Sequence, residues 1–344
     1  MSIAADIPAL RAELAALNGD ALAIGGPRGE PCMAIIHDLV RGRAVGETEI
    51  AAVLAGPRAL DTPSPAVRVK AAGGQSVAVL RVHGMALPKL DFQPYCFSTL
   101  KLAHDVEQLA ADPTVAAIVL DVDSPGGAVT GTPEAAAAVW RARQRKPVVA
   151  CVNTLAASAA YYVASQASQI VAIPSATVGS IGVLLLHVSF AGALEQAGIE
   201  PTFIVSRQSP YKTELNPFEP LTPEGKKFEQ VEVDAIGTQF VRAVARGRGV
   251  SEDDVTAKFG GGRVLRAPDA KRVGMIDAIG TLPDAVKSAE RAPALFRAAM
   301  LAQIETAFQA EEQRRIQQQV DEWSRLTPQQ QRAARLAEVL AAAP

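Results

Sequence analysis

Residues 147–194 contain no Asp, Glu, Lys or Arg. A stretch that long without charge leaves two placements open: a membrane span, or a core buried by the rest of the chain. A spanning helix needs roughly 20 predominantly apolar residues in a row. Asn153, Gln166, Gln169, Pro174 and Gly179 cut this stretch into shorter pieces, so the buried core is the better reading. The chain is long enough to bury it, with 344 residues of which 49% are apolar. Just upstream, 115–122 (VAAIVLDV) is a near-continuous apolar run. That pattern suits a strand covered on both faces, as in a parallel sheet.

The flanking segments alternate in the same sense. Strands are expected at 77–82, 115–122, 147–152, 169–173 and 201–205. Helices are expected at 98–111, from Thr132 with Thr as N-cap and Pro133 behind it, at 159–165, at 189–197, and from Thr222 to about Arg246. Shorter helices follow at 251–259, 267–273 and 283–289, around the glycine cluster Gly260–Gly262 and the segment 274–279. Strands alternating with helices imply βαβ units and an α/β fold. Three domains are expected: a leader region and linker at 1–72, a catalytic domain at 73–290, and a helical arm at 291–344. The leader has helical spacing at 9–17 and 47–54 and prolines at 57–67. The arm is rich in Ala, Gln, Glu and Arg, with Leu301, Ile304 and Phe308 at helical spacing and a restart at Pro328.

Composition removes several classes of function. The net charge of −2 leaves no basic footprint for nucleic acid. The three cysteines, Cys32, Cys96 and Cys151, are odd in number and widely spaced, which argues against a disulfide framework or a zinc site. Reduced thiols and a cytoplasmic setting are expected. Asp6, Arg11 and Glu13 interrupt any signal-peptide core, and no membrane anchor is expected.

Three pieces carry chemistry. Ser158 would sit where the strand 147–152 gives way to the helix 159–165, near a helix N-terminus that favours developing negative charge. Gly126-Gly127 follows the buried strand, at the end where parallel sheets place ligands, and such a turn can aim N–H groups at an oxyanion. Lys212 can act as a base only when neutral, which requires desolvation. Tyr211, Leu215, Pro217 and Phe218 around it are apolar, although Glu214 would oppose the shift if it pointed inward. Ser180, in a glycine turn, could orient the lysine. Taken alone, each has a plainer reading: an N-cap serine, a tight turn, a solvated lysine, a turn serine. Of the four histidines only His83, at a strand end, remains a candidate base; His104 and His187 read as surface or packing residues. Asp121 and Asp123 read as exposed carboxylates at a strand end.

The ordered set resembles the signal peptide peptidase A family of Ser–Lys peptidases. The resemblance runs through Ser124-Pro-Gly-Gly127, Ala157-Ser-Ala-Ala-Tyr161, Thr177-Val-Gly-Ser-Ile-Gly-Val183, Tyr211-Lys212 and Ala270-Lys-Arg-Val-Gly-Met-Ile-Asp277. It implies a Clp protease/crotonase-like fold of stacked βαβ units. It implies Ser158 as nucleophile, Lys212 as general base, Ser180 holding the lysine, and an oxyanion hole from the Gly126–Gly127 turn and Ala159. Ala159-Ala160 departs from the family pattern, which usually has glycines there. The leader and arm resemble the phage and prophage head maturation branch, whose members cleave scaffold and other capsid proteins. Polypeptide substrates and a homo-oligomer are then expected, with no metal or cofactor. The competing readings are a housekeeping peptidase of the same family, a non-catalytic capsid assembly protein, and an acyl-CoA hydratase or isomerase. The last would need acidic residues that 147–194 lacks. The linker at 57–67 and the arm after 290 are the segments open to self-cleavage.

Overall fold

A computed structural model describes residues 22–24 (backbone), 66–71, 74–89, 96–292, 313–314 and 317. The chain divides into two compact units, Met1–Pro293 and Ala294–Pro344. Of the second unit only 313, 314 and 317 are described, all helical. The expected leader helices at 9–17 and 47–54, linker residues 57–65, Cys32, and the arm pattern with its restart at Pro328 lie outside the described residues.

A ten-stranded sheet organises the first unit, with central order β10-β7-β6-β5-β3-β2. Its strands are β1 (Leu22–Ile24), β2 (Val67–Lys70), β3 (Ser76–Leu87), β4 (Cys96–Ser98), β5 (Val115–Ala128), β6 (Val148–Ala157), β7 (Gln169–Ala172), β8 (Thr177–Gly179), β9 (Val264–Arg266) and β10 (Ala278–Ile279). The core is parallel: β3 with β5, β5 with β6, and β6 with both β7 and β8. The antiparallel pairs are peripheral: β2 on β3, β1 on β5 and β9 on β8. This is the α/β architecture expected from the sequence.

Seven helices complete the named elements: α1 (Thr99–Ala111), α2 (Thr132–Arg143), α3 (Ala159–Ala164), α4 (Ala191–Gln196), α5 (Pro223–Arg248), α6 (Glu252–Lys258) and α7 (Ala267–Arg272). Residues 282–292 are also helical. Strand alternation sorts the core into two layers. Leu80, Ile118, Leu120, Ala150 and Ile170 join one cluster with residues of α1, α2 and α3. Val77, Ala117, Val119, Val149 and Cys151 face the other way, against Ala285 and Ala289. Every residue of α3 is buried, which explains the absence of charge around it.

Several local expectations differ. Thr132 does not cap α2: Gly131, at φ 83°, takes that position, and Thr132 Oγ1 donates to Ala128 O at 2.8 Å. Thr222 does cap α5, accepting from Gly225 N–H at 3.0 Å. Residues 201–205 form no strand and are largely exposed. Their β-branched residues have no neighbouring strand to pair with among the described residues. Asp121 is not an exposed end carboxylate. It is 6% exposed, because β5 runs on to Ala128, and it accepts from Asn153 Nδ2 at 3.2 Å and lies 3.1 Å from His83 Nε2. Asp123 is half-buried and bonded by the Thr154 hydroxyl.

Candidate active site

Ser158 occupies the sharp turn between β6 and α3 and has φ 53° and ψ −123°. Among the described residues, only Ser158 and Ser180 are non-glycine with positive φ. Such conformations cost of order 1–3 kcal/mol and persist only where the surroundings over-determine them. The surroundings here are extensive. Ser158 N–H donates to Gly179 O at 2.7 Å, and Ser158 O accepts from Tyr162 N–H at 2.8 Å. Tyr161 Oη donates to Met275 O at 2.9 Å, and the Tyr162 ring stacks on Phe240 with centroids 4.5 Å apart. Burial pushes the Tyr161 phenol above its usual range, so it stays a neutral donor to that carbonyl. Ser158 is 1% exposed, and its Oγ is a buried side-chain oxygen with no hydrogen-bond partner. A buried hydroxyl of this kind normally finds a partner.

Ser180 is the next position beyond the pairing of Ala157 with Gly179, so the two strained serines lie side by side at the ends of β6 and β8. Ser180 N–H donates to Arg263 O at 2.9 Å. A Cβ at Gly179 would come within 2.5 Å of the same oxygen, so glycine there lets β9 close over this corner.

Gly126 and Gly127 lie at the end of β5. Ser124 pairs with Ala156, so Gly126 and Ser158 each lie two residues beyond the last pairing of β5 with β6. Gly126 has φ 97°, and its N–H donates to Ser124 Oγ at 3.1 Å. Ser124 is fully buried; its place in the Ser-Pro-Gly-Gly turn was legible in the sequence, its hydrogen bond to Gly126 was not. A Cβ on Gly127 would meet Ala86 O at 2.1 Å, so Gly127 is required by its contact with β3. Ala159, first residue of α3, carries one of the N–H groups that helix geometry leaves without an intrahelical acceptor. Ser158, Ser180, Gly126, Gly127 and Ala159 thus gather at the carboxyl ends of adjoining parallel strands.

Lys212 is placed elsewhere. It is exposed, in a turn where its N–H donates to Ser209 O at 3.3 Å. It lines a surface groove of about 460 Å3 with Tyr211, Glu214, Leu215, Glu224, Phe228 and Glu229, a lining that includes neither serine. The apolar residues that suggested burial are themselves exposed: Tyr211 61%, Phe218 44% and Leu215 37%. His83 is bonded to Asp121, on the sheet face opposite α1–α3.

The match to known proteins centres on this region. The model of peptidase family S49 matches residues 141–295. Head-tail preconnector protein GP5 of Enterobacteria phage P21 is 38% identical over 186 residues, 52% of this chain and 36% of its own. Capsid assembly protease C of Escherichia phage lambda is 33% identical over 259 residues, 73% of this chain and 58% of its own. Protease 4 of Salmonella typhi is 30% identical over 237 residues, 68% of this chain and 38% of its own. The chain therefore spans less than two thirds of the length of each. A solved ClpP1 from Listeria monocytogenes aligns at TM-score 0.36 and 16% identity, over 60% of this chain and 94% of that one. Residues 141–295, which carry Ser158, Ser180 and Lys212, are thus similar to peptidase family S49.

Proposed function

We propose that this chain is a serine endopeptidase acting through Ser158 and Lys212, and that its substrates are proteins of an assembling phage capsid. One observation carries the enzymatic reading: a strained, buried serine whose Oγ has no partner, at a strand-to-helix turn two residues past the last pairing of β6 with β5. Structural serines are bonded; an unbonded one held in a strained turn is stored for chemistry. The capsid setting rests on the phage relatives, GP5 and capsid assembly protease C.

In the proposed reaction Ser158 Oγ attacks a peptide carbonyl as neutral Lys212 takes its proton. Ala159 N–H and the Gly126–Gly127 turn stabilise the oxyanion, which requires Gly126 N–H to exchange its bond to Ser124 Oγ. The protonated lysine then gives its proton to the leaving amine, and water hydrolyses the acyl-enzyme with the same base. Ser180 would hold the lysine. For this to happen Lys212 must reach Ser158 and lose water. Self-association through the exposed apolar residues of 184–205 is the proposed route, because covering them would also desolvate the turn that follows. The division into a leader at 1–72, a catalytic domain at 73–290 and an arm at 291–344 is part of the same proposal. Among the described residues no helix is long and apolar enough to cross a membrane.

The test is intact mass after exposure to a fluorophosphonate at rising pH, for the unmodified chain, Ser158→Ala and Lys212→Ala. One adduct is expected on the unmodified chain, forming faster as pH rises, with none on Ser158→Ala and labelling slowed ~10²-fold or more on Lys212→Ala. A folded chain that takes no label would move the non-catalytic assembly reading to the front.

A further inference from the structure

The end of β5 has a partner that the reaction does not need. Residues Leu22–Ile24, remote in sequence from the sheet, run antiparallel to it, with Leu22 opposite Ala128, Ala23 opposite Gly127 and Ile24 opposite Gly126. One edge of β5 is already taken here, since Met85 and Ala86 of β3 pair with Gly126 and Gly127. β1 therefore lies on the other edge. β6 holds that edge up to the pairing of Ser124 with Ala156 and then leaves it to turn into Ser158 and α3. The gap it leaves is flanked by the candidate nucleophile. Ile24 is opposite Gly126, so β1 runs extended along the edge that β6 vacates two residues before Ser158.

Adding a strand to a free sheet edge is a general way to bind an extended peptide, because main-chain hydrogen bonds form whatever the sequence. An endopeptidase must hold its substrate extended beside the nucleophile, and β1 holds that place. We propose that Leu22–Ile24 is an internal occupant of the substrate groove that keeps the full chain self-blocked. This rests on the peptidase reading of Ser158. The block is reversible in design. β1 is only three residues long, so few hydrogen bonds hold it, and residues 25–66 separate it from β2 in sequence. A segment of the same chain competes as an intramolecular ligand, at an effective concentration on the order of millimolar. That suffices against stray peptides and yields to a substrate presented at higher effective concentration. The occupying sequence, Leu22-Ala-Ile24, also indicates a substrate class: extended segments of small and aliphatic residues. This blocking segment is distinct from the linker at 57–67 and the arm after 290.

The test uses the full chain and a quenched fluorescent peptide with the sequence of residues 19–28, GDALAIGGPR. Ala23→Pro removes a backbone donor from β1, and Leu22→Pro serves as a second variant should the first fail to fold. Turnover of the peptide is expected to rise about tenfold or more in the proline variant. Amide hydrogen exchange at Gly126–Ala128 is expected to quicken. Fluorophosphonate labelling of Ser158 separates the two hypotheses. Equal turnover in two chains that both label, with unchanged exchange at 126–128, overturns the self-block and leaves the peptidase standing. Loss of labelling in both removes the peptidase reading and this inference with it.

Discussion

Ser158 pays for its position in backbone strain, and that strain can be measured. With φ 53° it sits where glycine is comfortable and a residue with a Cβ is not. Ser158→Gly should therefore stabilise the fold by roughly 1–3 kcal/mol in urea unfolding while abolishing fluorophosphonate labelling. Ser158→Ala keeps the Cβ and should leave stability within about 1 kcal/mol of the unmodified chain. A site kept for structure would show the opposite pattern, with both variants destabilised. Much at this scale was legible: Ser158, Gly126 and Ser180 stand out by residue type and by their place after apolar runs. What could not be read was Ser124 Oγ holding Gly126 N–H, or Ala86 O leaving no room for a Cβ on Gly127. Both depend on which strand lies beside which. Cys151 was also silent in the sequence. Burial, with the charges of Asp121 and Asp284, pushes its thiol up to about 12, so it is a packing residue.

At the scale of elements, the end of α5 is fastened to the body by arginines. Arg143 Nη1 donates to Gln166 O, Ala167 O and Gly247 O at 3.3, 3.1 and 3.0 Å, gathering the carbonyls that follow α3 and one near the end of α5. Arg246 Nη2 donates to Gln166 Oε1 at 2.9 Å. Gly247 permits the approach, since a Cβ there would meet Ser165 O at 2.2 Å. Lysine has no planar fork and cannot stack on Trp140 in the same way. Arg143→Lys should cost about 1–3 kcal/mol, read from the urea midpoint at unchanged slope. β3, β5, β6 and β7 were legible because buried parallel strands are continuously apolar. β2 was not: its Val-Arg-Val-Lys is mostly exposed, and β3 is its one strand partner among the described residues. β8 and β9 are three residues each, too short to show a period, and exist because Gly179 and Val264 meet across them.

At the scale of the whole molecule, exposed apolar side chains stand out between residues 184 and 204. Leu184, Leu186, Val188, Phe190, Ile199 and Ile204 are all exposed, and exposed apolar patches mark sites of interaction. Sedimentation should show concentration-dependent association, and Ile204→Asp, at 96% exposure, should weaken it at least about tenfold without lowering the melting temperature. This was the hardest part to read from sequence. The apolar residues near Lys212 predicted a buried lysine, whereas an apolar side chain is equally served by a partner's surface, and a single sequence does not say which.

Two guanidinium groups approach the Trp140 ring, Arg143 at 4.2 Å and Arg246 at 4.6 Å from its centroid. One cation belongs to α2 and the other to α5, so the indole is a built-in optical gauge of whether those helices are joined. Trp323 is the one other tryptophan in the chain. In a Trp323→Phe background, emission should change when α5 lifts away, and following it beside circular dichroism would show whether that helix leaves before the sheet melts.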